Sequence, residues 1–437
     1  MPQLSREEIA QIEVGHTTVS RGTARGAVAA FLLFISVPPL VDLVAAARGR
    51  ESQAWPVLAA LPRQIGDLVM TRSRAGHDQV TTRSLIVDAN RLALGAFKSF
   101  EDELADASPV FAAMRPSAQA VLSGWLAAGN ERVYQGRDGW LFFRPDVDYV
   151  IGPGFLDAAE MRRRRESTRE WIDRPQPDPR PALVAFKRQL DARGIALVVV
   201  PTPVKPVMHP ERLAGARAAQ APVENVSYGA WLADLQREGV MVLDLAAELA
   251  RSNDSAYLAT DTHWRPETVR RAAELLGAFI RTRVPLDDAA TTGYRTETRD
   301  VTNVGDTAAM LDVSDRASVG RSETVTIDRV VDGDGAPWRP SRDADVLVLG
   351  DSFSNIYSLA SMGWGDSAGL IEHLGHVLDR PIDRIVQNDN GSFATRERLR
   401  QDLATGTDRL RGKRVVVLQF AARELRSGDW KLIDLPQ

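Results

Sequence analysis

The sequence predicts an α/β protein built on a parallel sheet with helices on both faces, and three observations carry that expectation. From Ala182 to Phe420, apolar runs of strand length alternate with amphipathic segments of helix length, the order that βαβ units require. The strand candidates are near-continuous Val/Leu runs, such as 345–349 (DVLVL), which is how strands buried on both faces read. That run leads straight into Gly350-Asp351-Ser352, a turn at the carboxyl end of a strand, where open α/β sheets bind their ligands.

Composition sets the outer limits. At 437 residues the chain can hold one elaborated α/β domain with an appendage, or two to three ordinary domains. A formal net charge of -4 gives no electrostatic signature of nucleic-acid binding. The lack of cysteine removes disulfides, Cys-based zinc sites and thiol catalysis, and it leaves the redox compartment open.

Residues 1–25 are polar and end with Arg21 and Arg25; residues 26–41 (GAVAAFLLFISVPPLV) carry no charge. As a helix, that apolar run covers about 24 Å, short of a hydrocarbon core of about 30 Å unless it continues through Asp42 toward Ala47. An uncleaved anchor with its basic flank in the cytoplasm is the favoured reading. A signal peptide cleaved near Ala45-Ala46-Ala47 and a buried soluble helix are the alternatives, the latter disfavoured by Pro38-Pro39. Residues 1–50 are thus expected to be a leader and membrane anchor. Residues 51–130 follow as a helical membrane-proximal region without chemistry, and residues 131–437 form the main domain, outside the cytoplasm.

The main domain begins with Gly136-Arg-Asp-Gly-Trp-Leu-Phe-Phe143, a turn and a short aromatic strand. Met161-Arg-Arg-Arg-Arg165 reads as a solvated helical face, and the prolines of 175–181 mark a loop. Helices are expected at 182–193, 228–238, 266–281 and 395–404. Strands are expected at 195–200, 240–245, 345–349, 384–387 and 414–420. Residues 283–344, rich in Thr, Asp, Arg and Gly with short strand-like pieces, read as an insertion between two sheet strands.

Ser352 is the candidate nucleophile, and a serine hydroxyl needs a base to take its proton. The chain has six histidines. His16 lies in the leader, His77 in the helical region, His209 in a loop without a nearby aspartate, and His373 and His376 in a helical stretch. His263 differs: it sits in Asp261-Thr-His-Trp264, just before the helix that opens at Pro266. In extended chain, residues two apart project to one side, so the Asp261 carboxylate can reach and orient the His263 imidazole. Taken singly these pieces are bland. Gly-Asp-Ser recurs at Gly365-Asp-Ser367 without a strand before it, and Asp-x-His often forms a cap. Metal binding ranks below catalysis, because no second histidine or carboxylate cluster of suitable spacing accompanies the pair. Their coincidence in one domain yields a Ser-His-Asp set.

Gly350-Asp-Ser-Phe353 with Asp261-Thr-His-Trp264 resembles the SGNH-hydrolase-like domain of the bacterial alginate O-acetyltransferases of the AlgJ and AlgX type. Gly136–Phe142, Val200-Pro-Thr-Pro-Val-Lys205 and Asn388-Asp-Asn-Gly-Ser392 extend the likeness over roughly residues 130–437. The order is permuted relative to ordinary SGNH hydrolases: Asp-x-His precedes the serine. The anchor and the short C-terminal end resemble AlgJ more than AlgX. The resemblance implies that Ser352 is acetylated and hands the acetyl group to a sugar hydroxyl of an exopolysaccharide. It makes His263 the general base and acid and Asp261 its orienting partner. The Ser352 N–H, Asn390 and Gly391 then become candidates for the oxyanion site, and Arg423 a candidate substrate-binding residue, with an exposed helix-start arginine as its bland alternative. No cofactor or metal is implied. The implied partners are a polysaccharide acceptor and, as acetyl donor, a membrane-bound O-acyltransferase at the inner membrane; nucleic acid is not among them. A carbohydrate acetyl-esterase with the same residues and a non-catalytic carbohydrate-binding protein are the alternatives.

Overall fold

The computed structural model describes residues 20–48, 54–74, 82–107, 113, 117–118, 129–166, 174–220, 223–250, 255–286, 291–311 and 322–436. His16 and His77 fall outside these residues. The chain divides into two compact units, Met1–Ala118 and Gln119–Gln437.

The first unit is helical. Helix α1, Arg21–Ala47, starts on Ser20, whose hydroxyl accepts from the Thr23 N–H, and runs through Pro38 and Pro39. Its 27 residues make it about 40 Å long. The apolar run therefore does continue past Asp42, and α1 is long and apolar enough to cross a membrane. Phe31, Leu32 and Leu33 point outward from it. Helices α2 (Ala54–Arg74) and α3 (Thr82–Ala107) meet edge-to-face through Trp55 and Phe100, ring centroids 5.1 Å apart.

The second unit carries a five-stranded sheet in the order β4-β3-β9-β7-β8, parallel throughout. Its strands are β3 (Ala196–Thr202), β4 (Met241–Val242), β7 (Val346–Gly350), β8 (Asp383–Val386) and β9 (Val415–Ala421). These lie on the five runs that the sequence singles out. Alternate residues of the central strands enter two separate cores. Val198, Val200, Val346, Val348, Val415 and Val417 face one side, where they meet Ala272, Leu276 and Leu374. Leu197, Val199, Leu347, Leu349, Val416 and Leu418 face the other and meet Phe186, Trp231 and Leu399. The covering helices are α7 (Pro266–Arg283) and α10 (Leu370–Leu378) on the first side. On the second are α5 (Pro179–Asp191), α6 (Tyr228–Arg237) and α11 (Ala394–Ala404). Each fully buried Val or Leu contributes about 1.5–3 kcal/mol, which is why both faces of this sheet must be covered.

Two smaller ribbons flank the sheet. Strands β1 (Val133–Gln135) and β2 (Leu141–Phe143) pair antiparallel and lead into helix α4, Arg144–Ile151. Residues 283–344 carry a nine-residue antiparallel ribbon, β5 (Arg295–Asn303) with β6 (Glu323–Val331), and between its strands the short helix α8, Asp306–Met310. The Arg-rich run lies in helix 158–166, and Arg164 there is not simply solvated: it donates to the carbonyls of Ser427 and Gly428.

Candidate active site

Strand β7 ends at Gly350, and the chain enters helix α9, Ser352–Asn355, with no intervening loop. Gly350 is required for space, not for a left-handed turn: a Cβ there would sit 2.5 Å from Ser354 Oγ. Asp351 caps the helix, its Oδ1 accepting from the Phe353 N–H at 2.9 Å. The same carboxylate accepts from Gln419 Nε2 at 2.8 Å and from the Ala421 N–H at 2.6 Å. Gln419 ties the turn together. Its Oε1 accepts from the Asp351 N–H (3.0 Å) and from Ser354 Oγ (2.6 Å), while its amide also reaches Thr202 (2.9 Å). Asp351 is thereby committed to holding the turn, whereas no described hydrogen bond engages the Ser352 hydroxyl. Among the described residues none accepts a hydrogen bond from the Ser352 N–H.

The Asp261-His263 loop enters α7. His263 Nδ1 lies 2.7 Å from Asp261 Oδ1, and the His263 N–H donates to the same oxygen at 3.0 Å. Asp261 Oδ2 accepts from the Trp364 indole (2.8 Å) and the Asp306 N–H (3.0 Å). Burial opposes ionisation of Asp261, but His263, Trp364 and the Asp306 N–H outweigh it and hold the carboxylate down at about 2. Burial likewise disfavours a charged His263; the Asp261 hydrogen bond and charge, with Asp306 further off, prevail and raise its pKa above the ordinary 6.5. With Nδ1 facing a carboxylate, the proton belongs on Nδ1 and Nε2 carries the lone pair. That Nε2 is buried and has no hydrogen-bond partner.

Phe353 brings the two halves together. Its ring packs against His263 (4.8 Å between centroids) and edge-on against Trp264 (5.6 Å), and its carbonyl accepts from the Trp264 indole at 3.0 Å. Tyr357, one turn on, donates to the Trp264 carbonyl at 2.8 Å. The residue next to Ser352 thus touches the imidazole, although no described hydrogen bond joins His263 to the serine hydroxyl.

Below the histidine loop stands Lys205, fully buried and donating to the carbonyls of Leu141 (2.6 Å), Ala259 (2.8 Å) and Asp261 (2.9 Å). Burial pulls its pKa down to about 8. Glu323 from β6 accepts from the Ala259 N–H with both oxygens, at 2.7 and 2.9 Å.

Asp306 corrects one expectation. The sequence offers no further carboxylate for the Asp261–His263 pair, yet the 283–344 segment brings Asp306 to it, with ligand-type atoms of all three residues within 4.8 Å of one another. Both oxygens of Asp261 already accept two hydrogen bonds each, and Asp306 Oδ1 accepts from the Thr262 N–H (2.7 Å) and hydroxyl (2.9 Å). Four bonds fill the acceptor capacity of Asp261, and the three residues are joined as a hydrogen-bond network.

The remaining candidates separate. Gly391 stands at the serine turn: a Cβ there would lie 3.2 Å from Asp351 Oδ2 and from Phe420 Cβ. Asn390 is exposed with φ of 56°, and its carbonyl accepts from the N–H groups of Phe393 and Ala394, a turn-forming role. No described hydrogen bond joins its side chain to the serine turn. The bland picture of Arg423 as an exposed helix-start arginine is overturned. Its side chain is 14% accessible, pairs with the fully buried Asp146 at 3.1 Å and lies over the Phe143 and Phe353 rings at 5.3 and 5.7 Å. β9 is the central strand, so the residues just past its end line the site floor. His209 accepts from the Ala256 N–H at 3.0 Å and packs on Trp140, a structural role.

Gln419, Trp364, Asp306 and Lys205 escape sequence reasoning as site residues. A glutamine inside the apolar run of β9 was a visible signal for the first, and Trp364 immediately precedes the second Gly-Asp-Ser. Nothing local marks Asp306.

The site thus combines a capped serine turn at a strand end with a carboxylate-oriented histidine packed against the residue that follows the serine. A family model described as the SGNH hydrolase-like domain of acetyltransferase AlgX matches residues 133–420, and the chain belongs to that family. A probable alginate O-acetylase AlgJ from Pseudomonas aeruginosa is 31% identical over 156 residues, 35% of this chain and 34% of the relative. Its counterpart from Pseudomonas syringae pv. tomato is 27% identical over 162 residues, 36% of each chain. These matches span about a third of the relatives' length. The solved O-acetyltransferase domain of Pseudomonas putida AlgJ shares the fold: TM-score 0.51 at 20% identity, over 68% of this chain and 93% of that domain.

Proposed function

We propose that this protein is a polysaccharide O-acetyltransferase that works through an acetyl-serine at Ser352. The observation that supports it most is the His263 imidazole: held by Asp261 on Nδ1, unpartnered on Nε2, and packed on the residue next to Ser352. In the first half-reaction the Ser352 hydroxyl attacks the donor's acetyl carbonyl while Nε2 takes its proton. The tetrahedral oxyanion is held by the Ser352 and Gly391 N–H groups, the leaving group departs with the proton, and acetyl-serine remains. In the second, a sugar hydroxyl attacks that ester, passes its proton to Nε2, and Ser352 is released as the hydroxyl. Arg423, which lies over the Phe353 ring, would be the residue that meets the acceptor. The relatives' names point to an alginate-like acceptor. Helix α1 would hold the domain at the extracytoplasmic face of the inner membrane, within reach of a membrane-bound O-acyltransferase as donor.

Ser352→Ala should leave the thermal midpoint within a few degrees of wild type and lower acetyl transfer from a model ester to an oligosaccharide by about a thousandfold or more. Mass spectrometry of the oligosaccharide reads the transfer. Full activity in Ser352→Ala would refute the nucleophile. Acetate released without acetylated sugar would make the protein an esterase.

A further inference from the structure

The segment that carries Asp306 is pressed onto the histidine loop. A Cβ on Gly305 would lie 2.2 Å from the Thr260 carbonyl oxygen and 2.5 Å from the Asp261 nitrogen, so backbone meets backbone here. Three further bonds fix the contact: the Gly305 N–H to Thr260 Oγ1 at 3.2 Å, the Thr307 hydroxyl to the Thr260 carbonyl at 2.5 Å, and the Ala308 N–H to the same carbonyl at 3.3 Å. The Asp306 N–H donates to Asp261 Oδ2, its Oδ1 accepts from Thr262, and its Oδ2 stands 3.8 Å from His263 Nδ1.

We infer that Asp306 is a second, positioning carboxylate for His263, so that the imidazolium formed during acyl transfer is stabilised by two carboxylates, one from the histidine loop and one from the 283–344 segment. This rests on the acetyltransferase reading only for its link to turnover. The geometry supports it directly: a carboxylate oxygen just beyond hydrogen-bond range of Nδ1 acts through charge, not through a shared proton. The charged groups around His263 are Asp261 on its own loop, Asp306 on α8 and Arg423 after β9, with Asp146 on α4 behind Arg423. Lys205 lies beneath the loop. Arg423 is compensated by Asp146, so removing Asp306 tips the balance against the imidazolium. Burial and the adjacent Asp261 charge push Asp306's own pKa up to about 6. Above that pH it is ionised.

The test is a titration of the full chain in detergent, carrying histidine labelled with 13C at Cε1 and with the His263 signal assigned by loss in His263→Gln. Asp306→Asn keeps the Thr262 acceptor and should lower the His263 pKa by about one unit. The acid limb of kcat against pH should move down with it, and KM should hold. In the wild type the His263 signal should titrate in two steps, because it senses Asp306. An unchanged His263 pKa in Asp306→Asn, or a one-step wild-type curve should that variant fail to fold, overturns the inference. If the pKa falls but the wild type transfers no acetyl group, the second carboxylate stands and the acetyltransferase reading fails.

Discussion

His263 sets the pH behaviour at the residue scale. Its folded pKa is raised because Asp261 outweighs the cost of burial. A general base must be neutral, and a raised pKa extends the protonated, inactive form to higher pH. Activity should therefore fall on acidification along a limb lying above 6.5, the ordinary histidine value, and a rate profile between pH 5 and 9 reads it. A limb at or below 6.5 would show that the Asp261 charge does not reach the ring. The dyad was legible in the sequence from the two-residue offset of Asp261 and His263, although the segment is a bend and not the extended chain expected: the His263 N–H folds back onto Asp261 Oδ1. Gln419 and Trp364 were not legible as parts of the site. Their side chains reach Asp351 and Asp261 from 68 and 103 residues away.

Among the elements, the strand-to-helix turn and the 305–308 clamp decide where the serine and histidine sit. The turn was readable because a Val/Leu run meeting Gly-Asp-Ser leaves few alternatives. What its glycine does was not readable: Gly350 has no positive φ and instead leaves room for Ser354. The clamp was invisible, since residues 283–344 read only as an insertion between two sheet strands. Gly305→Ala tests it. The added methyl has backbone on its far side and cannot be absorbed by a side-chain rotation, so unfolding in urea should show a loss of about 1–3 kcal/mol. Activity should fall as the Asp261 loop shifts. Wild-type stability with unaltered activity would mean that the loop is held from elsewhere.

For the whole molecule, the parallel sheet, its two cores and α1 together frame the function. Helix α1 continues through Asp42 to Ala47, which makes it long enough to span a bilayer. A reporter active only outside the cytoplasm, fused after Gln437, should be active in cells expressing the full chain and lose activity when residues 1–48 are deleted. A silent full-length fusion would sink the extracytoplasmic placement.

By itself the sequence determined the sheet strands, the covering helices, the apolar N-terminal helix, the serine turn and the Asp261–His263 pair. All of these depend on patterns within a few residues: alternation, helical spacing, a turn tripeptide, a two-residue offset. Tertiary structure alone decided that Phe353 lays the serine turn against His263, that Lys205 fastens the histidine loop from below, and that Arg423 is buried on Asp146. It also delivered Asp306 to the imidazole. Those contacts join segments tens to hundreds of residues apart, and their chemistry is that of lone amides, lysines and carboxylates whose partners no local pattern specifies.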